Sequence, residues 1–293
     1  MAHPLSDNEL GVFLRSRRER VTPAQVGLPG SGVRRTPGLR REEVATLASV
    51  SIDYYTRLER GRERHPSAHV LDALASVLRL DANERRHLHA VAAHAAGNGG
   101  SPTAPQVCVR DTARLLLETV RPSPAAVLSR TNDLLAANPG GLALFHGIES
   151  GGNLSKWLFL DPGARTLWVD WERIAIGHVA QLRVVAGSAP DAPDVTALVT
   201  GLLADSPDFA RIWARYDVKP RTTGVKRFRH PRVGRMDLGY ESLPLAGTDD
   251  QRFIVYLAER GTPDHDAIVL LDMVGEGTGQ VTPEDPGHAF GVR

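Results

Sequence analysis

The sequence predicts a multidomain chain: an all-α, five-helix N-terminal domain containing a helix-turn-helix, followed by an α+β domain. Three observations carry that reading. A length of 293 residues exceeds what one small core needs. Apolar residues recur at helical spacing as far as residue 96, and beyond that point helical and alternating segments mix. Between the two regimes lies Gly97-Asn98-Gly99-Gly100-Ser101-Pro102-Thr103-Ala104-Pro105, a stretch suited to neither helix nor strand. The expected divisions are therefore 1–96, a linker over 97–109, a second domain over 110–274 and a disordered tail over 275–293.

The N-terminal elements follow from local signals. Leu10, Phe13 and Leu14 fall at helical spacing, with Arg17 and Arg18 one turn on. Thr22-Pro23 reads as a cap and first-turn proline, opening a short turn that stops at Gly27. A compact helix is expected over 42–48, with Val44, Leu47 and Ala48 on one face. Ser51 caps a second helix over 52–59, which Gly61 ends. Val70, Leu71, Leu74, Ala75 and Leu78 form one amphipathic face, and Asp81 with Glu84 opens the last helix.

In the second domain, strands are expected over 125–128, 133–138, 225–228, 234–243 and 253–257, with 267–271 a candidate sixth. Helices are expected over 171–186, 194–204 and 209–216, while 157–160 and 166–169 fit either state.

Composition narrows the function classes. No run approaches the roughly 20 apolar residues of a membrane span, and the N-terminal residues lack the basic and apolar regions of a secretion signal, so a cytoplasmic protein is expected. The lone cysteine, Cys108, rules out an intrachain disulfide and a cysteine-based zinc site. Net charge is +1, but residues 1–95 hold 15 Arg against 11 acids, a net of +4, and the three lysines all lie later. Arginine suits bidentate contacts to phosphate and guanine. Catalytic spacings such as G-x-S-x-G, H-E-x-x-H or a P-loop are missing, and His146, His178, His230, His265 and His288 lack metal-ligand spacing. No cofactor, metal or catalytic residue is therefore expected.

The helices over 42–48 and 52–59, joined by a tight turn, have the arrangement of a DNA-reading pair, although plain helical hairpins share it. The wording is more specific. "EEVATLASVS" followed by "YYTRLERG" resembles the lambda-repressor-like (XRE-type) helix-turn-helix, and residues 8–95 as a whole resemble its MmyB-like branch. "VDWERIAIGHVAQLRVVAG" and "KRFRHPRVGRMDLGYESL" are similar to that branch's PAS-like ligand-binding domain, a match over 110–271. The resemblance implies a transcription regulator acting on double-stranded DNA as a homodimer.

It also implies roles for particular residues. Ile52, Asp53, Tyr54 and Arg57 are outward at the front of the recognition helix. Arg57 suits a guanine, Ile52 a thymine methyl, and Asp53 either a cytosine amino group or the helix dipole. Arg40 and Arg41 start the preceding helix, where phosphate is expected. Arg62, Arg64 and His65 flank the recognition helix, and Arg34 and Arg35 either reach phosphate from their loop or are simply solvated. Arg18 and Glu59 match a structural pair. In the second domain the expected ligand is elongated and hydrophobic, such as a fatty-acyl chain. Trp171, Phe209, Trp213, Phe228, His230 and Tyr240 are candidate lining residues, although His230 also reads as a hydrogen-bonded turn histidine. Two alternatives stand beside this reading: a C-terminal domain that only dimerises or binds a protein partner, and an enzyme carrying a helix-turn-helix.

Overall fold

The structure is a computed structural model that describes residues 8–28, 38–97, 108–148, 151–218 and 222–278. Helix α1 (Glu9–Arg20) is capped by Asn8, whose side chain accepts from Gly11 N at 3.1 Å. Thr22 and Pro23 open a single 3-10 turn, Pro23–Val26, which Gly27 ends in the left-handed region. Helices α2 (Arg41–Leu47) and α3 (Ile52–Glu59) flank a tight turn, and Ser51 caps α3 by accepting from Tyr54 N at 3.1 Å. Helix α4 (Ala68–Val77) precedes α5 (Ala82–Ala95), which opens with the reciprocal Asp81–Glu84 capping box, both bonds 2.9 Å long. Phe13, Leu14, Val44, Tyr55, Leu58, Leu74 and Leu88 fill the core. Leu47, expected on the buried face of α2, is 38% exposed because Val44, Ala45 and Ala48 make the inward contacts.

The second domain begins with α6 (Asp111–Thr119), β1 (Ala125–Leu128) and β2 (Leu134–Ala137). Helices α7 (Pro139–Leu144), α8 (Leu154–Leu160), α9 (Pro162–Leu167), α10 (Trp171–Ser188), α11 (Pro193–Asp205) and α12 (Pro207–Trp213) follow. Strands β3 (Thr223–His230), β4 (Gly234–Pro244) and β5 (Arg252–Leu257) and helix α13 (Pro263–Thr278) complete it. The five strands form one antiparallel sheet in the order β2-β1-β5-β4-β3, the PAS-like α+β arrangement that the sequence predicts.

Strand burial follows from what covers each face. β3 is covered on one face only and alternates, turning Lys226, Phe228 and His230 inward. β1 and β5 are covered on both: Ala126, Leu128, Ile254 and Tyr256 face the main core. Ala125, Val127, Phe253 and Val255 face Val109, Ala113 and Leu117 on and beside α6.

Four expectations need correction. The ambiguous segment over 157–160 is helical, within α8, which Asn153 caps; of 166–169, Thr166 and Leu167 end α9, whose first turn holds Pro162, while Trp168 bridges Phe228 of β3 and Val169 lies in a turn. The candidate strand over 267–271 lies inside α13, where Ala267, Ile268 and Leu271 make a helical stripe against the core. Helix α13 also runs past Gly275, where the tail was expected to begin; residues 279–293 lie outside the described residues. Helices α6 and α7 were not anticipated: α7 is a six-residue turn set by the Asn138-Pro139 start.

The two domains share more than a linker. After α12, Tyr216 and Val218 enter the helical core of the N-terminal domain, at 5% and 0% exposure. Arg17 of α1 donates to Tyr216 O at 2.7 Å and pairs with Glu84 at 3.1 Å. The Arg183 guanidinium of α10 lies 3.8 Å from the Trp213 ring and 3.9 Å from that of Tyr216. Nearby, α10 crosses α5 at Gly187, where a Cβ would overlap the His87 ring and sit 3.0 Å from Val91. No helix among the described residues is long and apolar enough to cross a membrane.

Candidate DNA-reading face and ligand cavity

Helix α3 divides cleanly. Tyr55, Leu58 and Glu59 are buried, so Ile52, Asp53 and Arg57 must point outward, with Tyr54 half-buried at the edge. Ile52 is 47% exposed and the Arg57 side chain 56%. Arg57 rests 3.5 Å from Glu63 and 5.8 Å from the Tyr54 ring centroid, contacts weak enough to exchange for a base edge. Arg62, Arg64 and His65 are exposed just beyond the helix. Beside α3 lies an open hollow lined by Arg15, Arg18, Arg40, Arg41 and Ile52 together with Glu19 and Glu42. Arg15 is a residue that sequence reasoning missed. Its signal was there: in the run Arg15, Arg17, Arg18, Arg20, helical geometry turns Arg17 and Arg18 inward and leaves Arg15 outward. Arg34 and Arg35 lie outside the described residues.

Glu59 is the structural centre of this face. Its carboxylate is fully buried, with Arg18 Nε 2.6 Å from Oε1 and Arg41 Nε 2.6 Å from Oε2. Arg18 also donates to Leu39 O at 2.9 Å. Burial alone would raise the Glu59 pKa, but the Arg18 hydrogen bond and charge, then those of Arg41, hold it below the ordinary carboxylate value. Asn8 adds a bond from Nδ2 to Glu59 O at 2.9 Å, tying the start of α1 to the end of α3.

Arg41 therefore departs from its expected role: one edge of its guanidinium is committed to Glu59, and its side chain is 38% exposed. At the start of α2, Glu43 accepts from Arg40 N at 2.6 Å, and the Arg40 side chain stands exposed, 3.5 Å from Glu42.

The second site lies between α10 and the inner face of the sheet, a cavity of about 50 Å³. Helix α10 presents Arg173, Gly177 and His178 to it, and the sheet presents Lys226, Tyr240 and Arg252. Leu128, Leu154, Ile174 and Ile254 supply an apolar side, and no lining residue is acidic. Lys226 is 7% exposed. Its ammonium donates to Tyr256 Oη at 3.2 Å and sits 4.1 Å from the Tyr240 ring centroid. Burial, and then the charges of Arg252 and Arg173, push the Lys226 pKa down to about 7. Burial likewise lowers Arg252 to about 10 and His178 to about 3. Arg252 Nε and His178 Nδ1 are buried without a hydrogen-bond partner.

Of the aromatic candidates, only Tyr240 lines this cavity. Phe209 stacks on Trp213 at 5.4 Å, Trp171 meets Phe159 edge-on and donates to Leu158 O, and Phe228 packs against Trp168 at 4.5 Å. These four belong to the main core. His230 is the hydrogen-bonded turn histidine, with Nε2 3.0 Å from Ala143 O and Nδ1 accepting from Arg232 N. The sequence reading missed Arg173, His178, Lys226 and Arg252, although Lys226 shares the inward parity of Phe228 and His230.

A helix-turn-helix with an outward reading face, joined to an α+β domain with a cavity between α10 and its sheet, defines a DNA-binding regulator with a ligand-binding domain. Residues 9–88 match a helix-turn-helix domain family. Residues 109–271, more than half the chain, match the MmyB-like transcription regulator ligand binding domain, and the chain belongs to that family. Comparison with curated proteins found no match.

Proposed function

We propose that this transcription regulator binds its operator as a homodimer, each protomer placing α3 in the major groove, and that a small molecule in the α10–sheet cavity sets the affinity. One observation carries the DNA reading: Ile52, Asp53 and Arg57 project from a helix whose opposite side is anchored by the buried Glu59 pair. Base edges fall to Ile52, Asp53, Tyr54 and Arg57, and phosphates to Arg15, Arg40, Arg62, Arg64 and His65. Two half-sites are expected because readers of this type dock as dimers on successive turns of the groove.

Ligand sensing is favoured over a purely dimerising domain by the unpartnered buried donors around the cavity, which add nothing to a dimer contact. A fatty-acyl ligand, the expectation from the resemblance, enters only if α10 or the sheet moves. About 50 Å³ is far below the roughly 300 Å³ at which pockets for larger ligands begin.

The test is selection of random duplex DNA by the full-length protein. A discrete motif of two half-sites is expected, with Arg57→Ala changing the preference at one base pair per half-site. Recovery of unenriched sequence at low salt would sink the reading.

A further inference from the structure

We propose that Tyr216, from the ligand-binding domain, is a positioning residue for the DNA-reading helix: its hydroxyl fixes Glu9 at the start of α1, and the neighbouring Asn8 fixes the end of α3. This rests on α3 being the reading helix, and adds a tie that reaches it from outside the helix-turn-helix. Tyr216 follows α12 with φ at 54°, in the left-handed region that a bulky side chain adopts only at a cost. Backbone of that kind persists where its surroundings over-determine it, and it collects at functional positions. Both domains hold Tyr216. Its N–H donates to Trp213 O at 3.2 Å, and its carbonyl accepts from Arg17 at 2.7 Å. Its ring lies 3.9 Å from the Arg183 guanidinium and 5.9 Å from the Phe13 ring centroid. Its hydroxyl donates to the Glu9 carboxylate.

The backbone bonds and the ring contacts account for the turn and for burial, and phenylalanine would keep them all. The hydroxyl does something else. Tyr216 lies along α1, its carbonyl at Arg17 and its hydroxyl about two turns back at Glu9. Next to Glu9, Asn8 joins two helices. Its Oδ1 accepts from Gly11 N at 3.1 Å, capping α1, and its Nδ2 donates at 2.9 Å to the carbonyl of Glu59, the last residue of α3. The junction has no slack. A Cβ on Gly11 would stand 2.3 Å from Glu59 O, and one on Gly61 would stand 2.6 Å from Asn8 Oδ1. Adjacent Cα atoms are held about 3.8 Å apart, so a shift of Glu9 carries Asn8 with it, and close packing passes the shift to the end of α3. Ile52, Asp53 and Arg57 then move relative to the base edges. Base contacts need alignment whereas attraction to phosphate does not, so the tie acts on sequence preference.

The experiment uses the full chain, the motif that the full-length protein selects, and a random duplex of equal length. Tyr216→Phe keeps the ring and removes the hydroxyl. It should weaken motif binding by about three- to tenfold, as loss of one hydrogen bond does, and leave random-duplex binding within about twofold. Glu9→Ala cuts the same bond from the other side and should match it, while Glu9→Gln keeps an accepting oxygen and should bind the motif as wild type does. Asn8→Asp keeps the cap of α1 but loses the donor to Glu59 O, and should repeat the loss. Combined with Tyr216→Phe it should lose no more than the larger single loss, because both cut one tie. Amide exchange, read by mass spectrometry without DNA, should quicken in Tyr216→Phe over residues 52–61 as well as over 8–12. A wild-type ratio of motif to random affinity in both Tyr216→Phe and Glu9→Ala, with only a lower thermal midpoint, makes the hydroxyl a packing detail and overturns the proposal. So does faster exchange confined to α1. Selection of no motif at all defeats the reading of α3, and exchange over 52–61 then decides the tie by itself.

Discussion

Lys226→Met should make the protein more stable while removing a positive charge from the cavity wall. In the folded chain the Lys226 pKa is about 7, against 10.5 for a free lysine. At about 1.4 kcal/mol per pH unit, retaining that ammonium costs about 4 kcal/mol at neutral pH. Methionine fills similar space without charge, but Tyr256 Oη loses a donor, which returns about 1–3 kcal/mol. The net expectation is about 1–3 kcal/mol of stabilisation, or roughly 3–8 °C in thermal midpoint. The pH dependence has a definite sign. Between about pH 7 and 10.5 the unfolded chain holds the Lys226 proton and the folded chain does not, so wild-type stability climbs through that window. The groups facing Lys226 are Arg173 and His178 from α10, Tyr240 from β4, and Arg252 and Tyr256 from β5, with Asp250 nearer to Arg252. Thermal melts of both proteins at pH 6, 7.5, 9 and 10 decide the matter. A variant less stable than wild type at pH 7, or a difference that stays flat from pH 7 to 10, would refute the reasoning.

Three further outcomes are expected. Arg57→Ala should cost about 1–3 kcal/mol on the cognate operator and relax one base position, whereas Arg62→Ala should weaken all duplexes alike and lower the salt slope by about one, both read by fluorescence anisotropy. Arg18→Ala should lower stability by up to about 3–5 kcal/mol, since it leaves the fully buried Glu59 carboxylate with Arg41 as its remaining cation, and Arg41→Ala by less because its side chain is 38% exposed; denaturant melts of the full chain report both. Gly187→Val should drive α10 from α5 against the His87 ring, costing about 1–3 kcal/mol and raising amide exchange in both helices.

Legibility of the sequence varied with the range of the signal. The caps at Ser51 and Asp81 and the turn at Gly27 are local chemistry, and they stand where the residues place them. The Arg18–Glu59 pair was legible only through resemblance, because the two residues meet by tertiary packing. Arg41 was assigned to phosphate because its position on α2 was legible and the inward turn of its guanidinium was not. The segment over 267–271 is short and apolar, a pattern that strand and buried helix share, and its partner surface settled it as helix. The cavity was hidden for a related reason. A search for aromatic side chains found core residues, since Phe209 and Phe228 are completely buried, while the cations come from three separate elements. Only their convergence makes a site.

Tyr216 and Val218 have a further consequence. The polypeptide boundary near residue 97 is not the thermodynamic boundary of the reading head, because part of that head's interior is supplied by residues far along the chain. A fragment ending at residue 96 would expose the surface that these two side chains cover and leave Arg17 without the Tyr216 carbonyl. Grafting the helices onto another sensor would require its own substitute for this plug. The second domain therefore reaches the reading head from within, as a piece of its interior, and a displacement of Tyr216 and Val218 would alter the packing beneath α1 and α5, out of sight of the DNA.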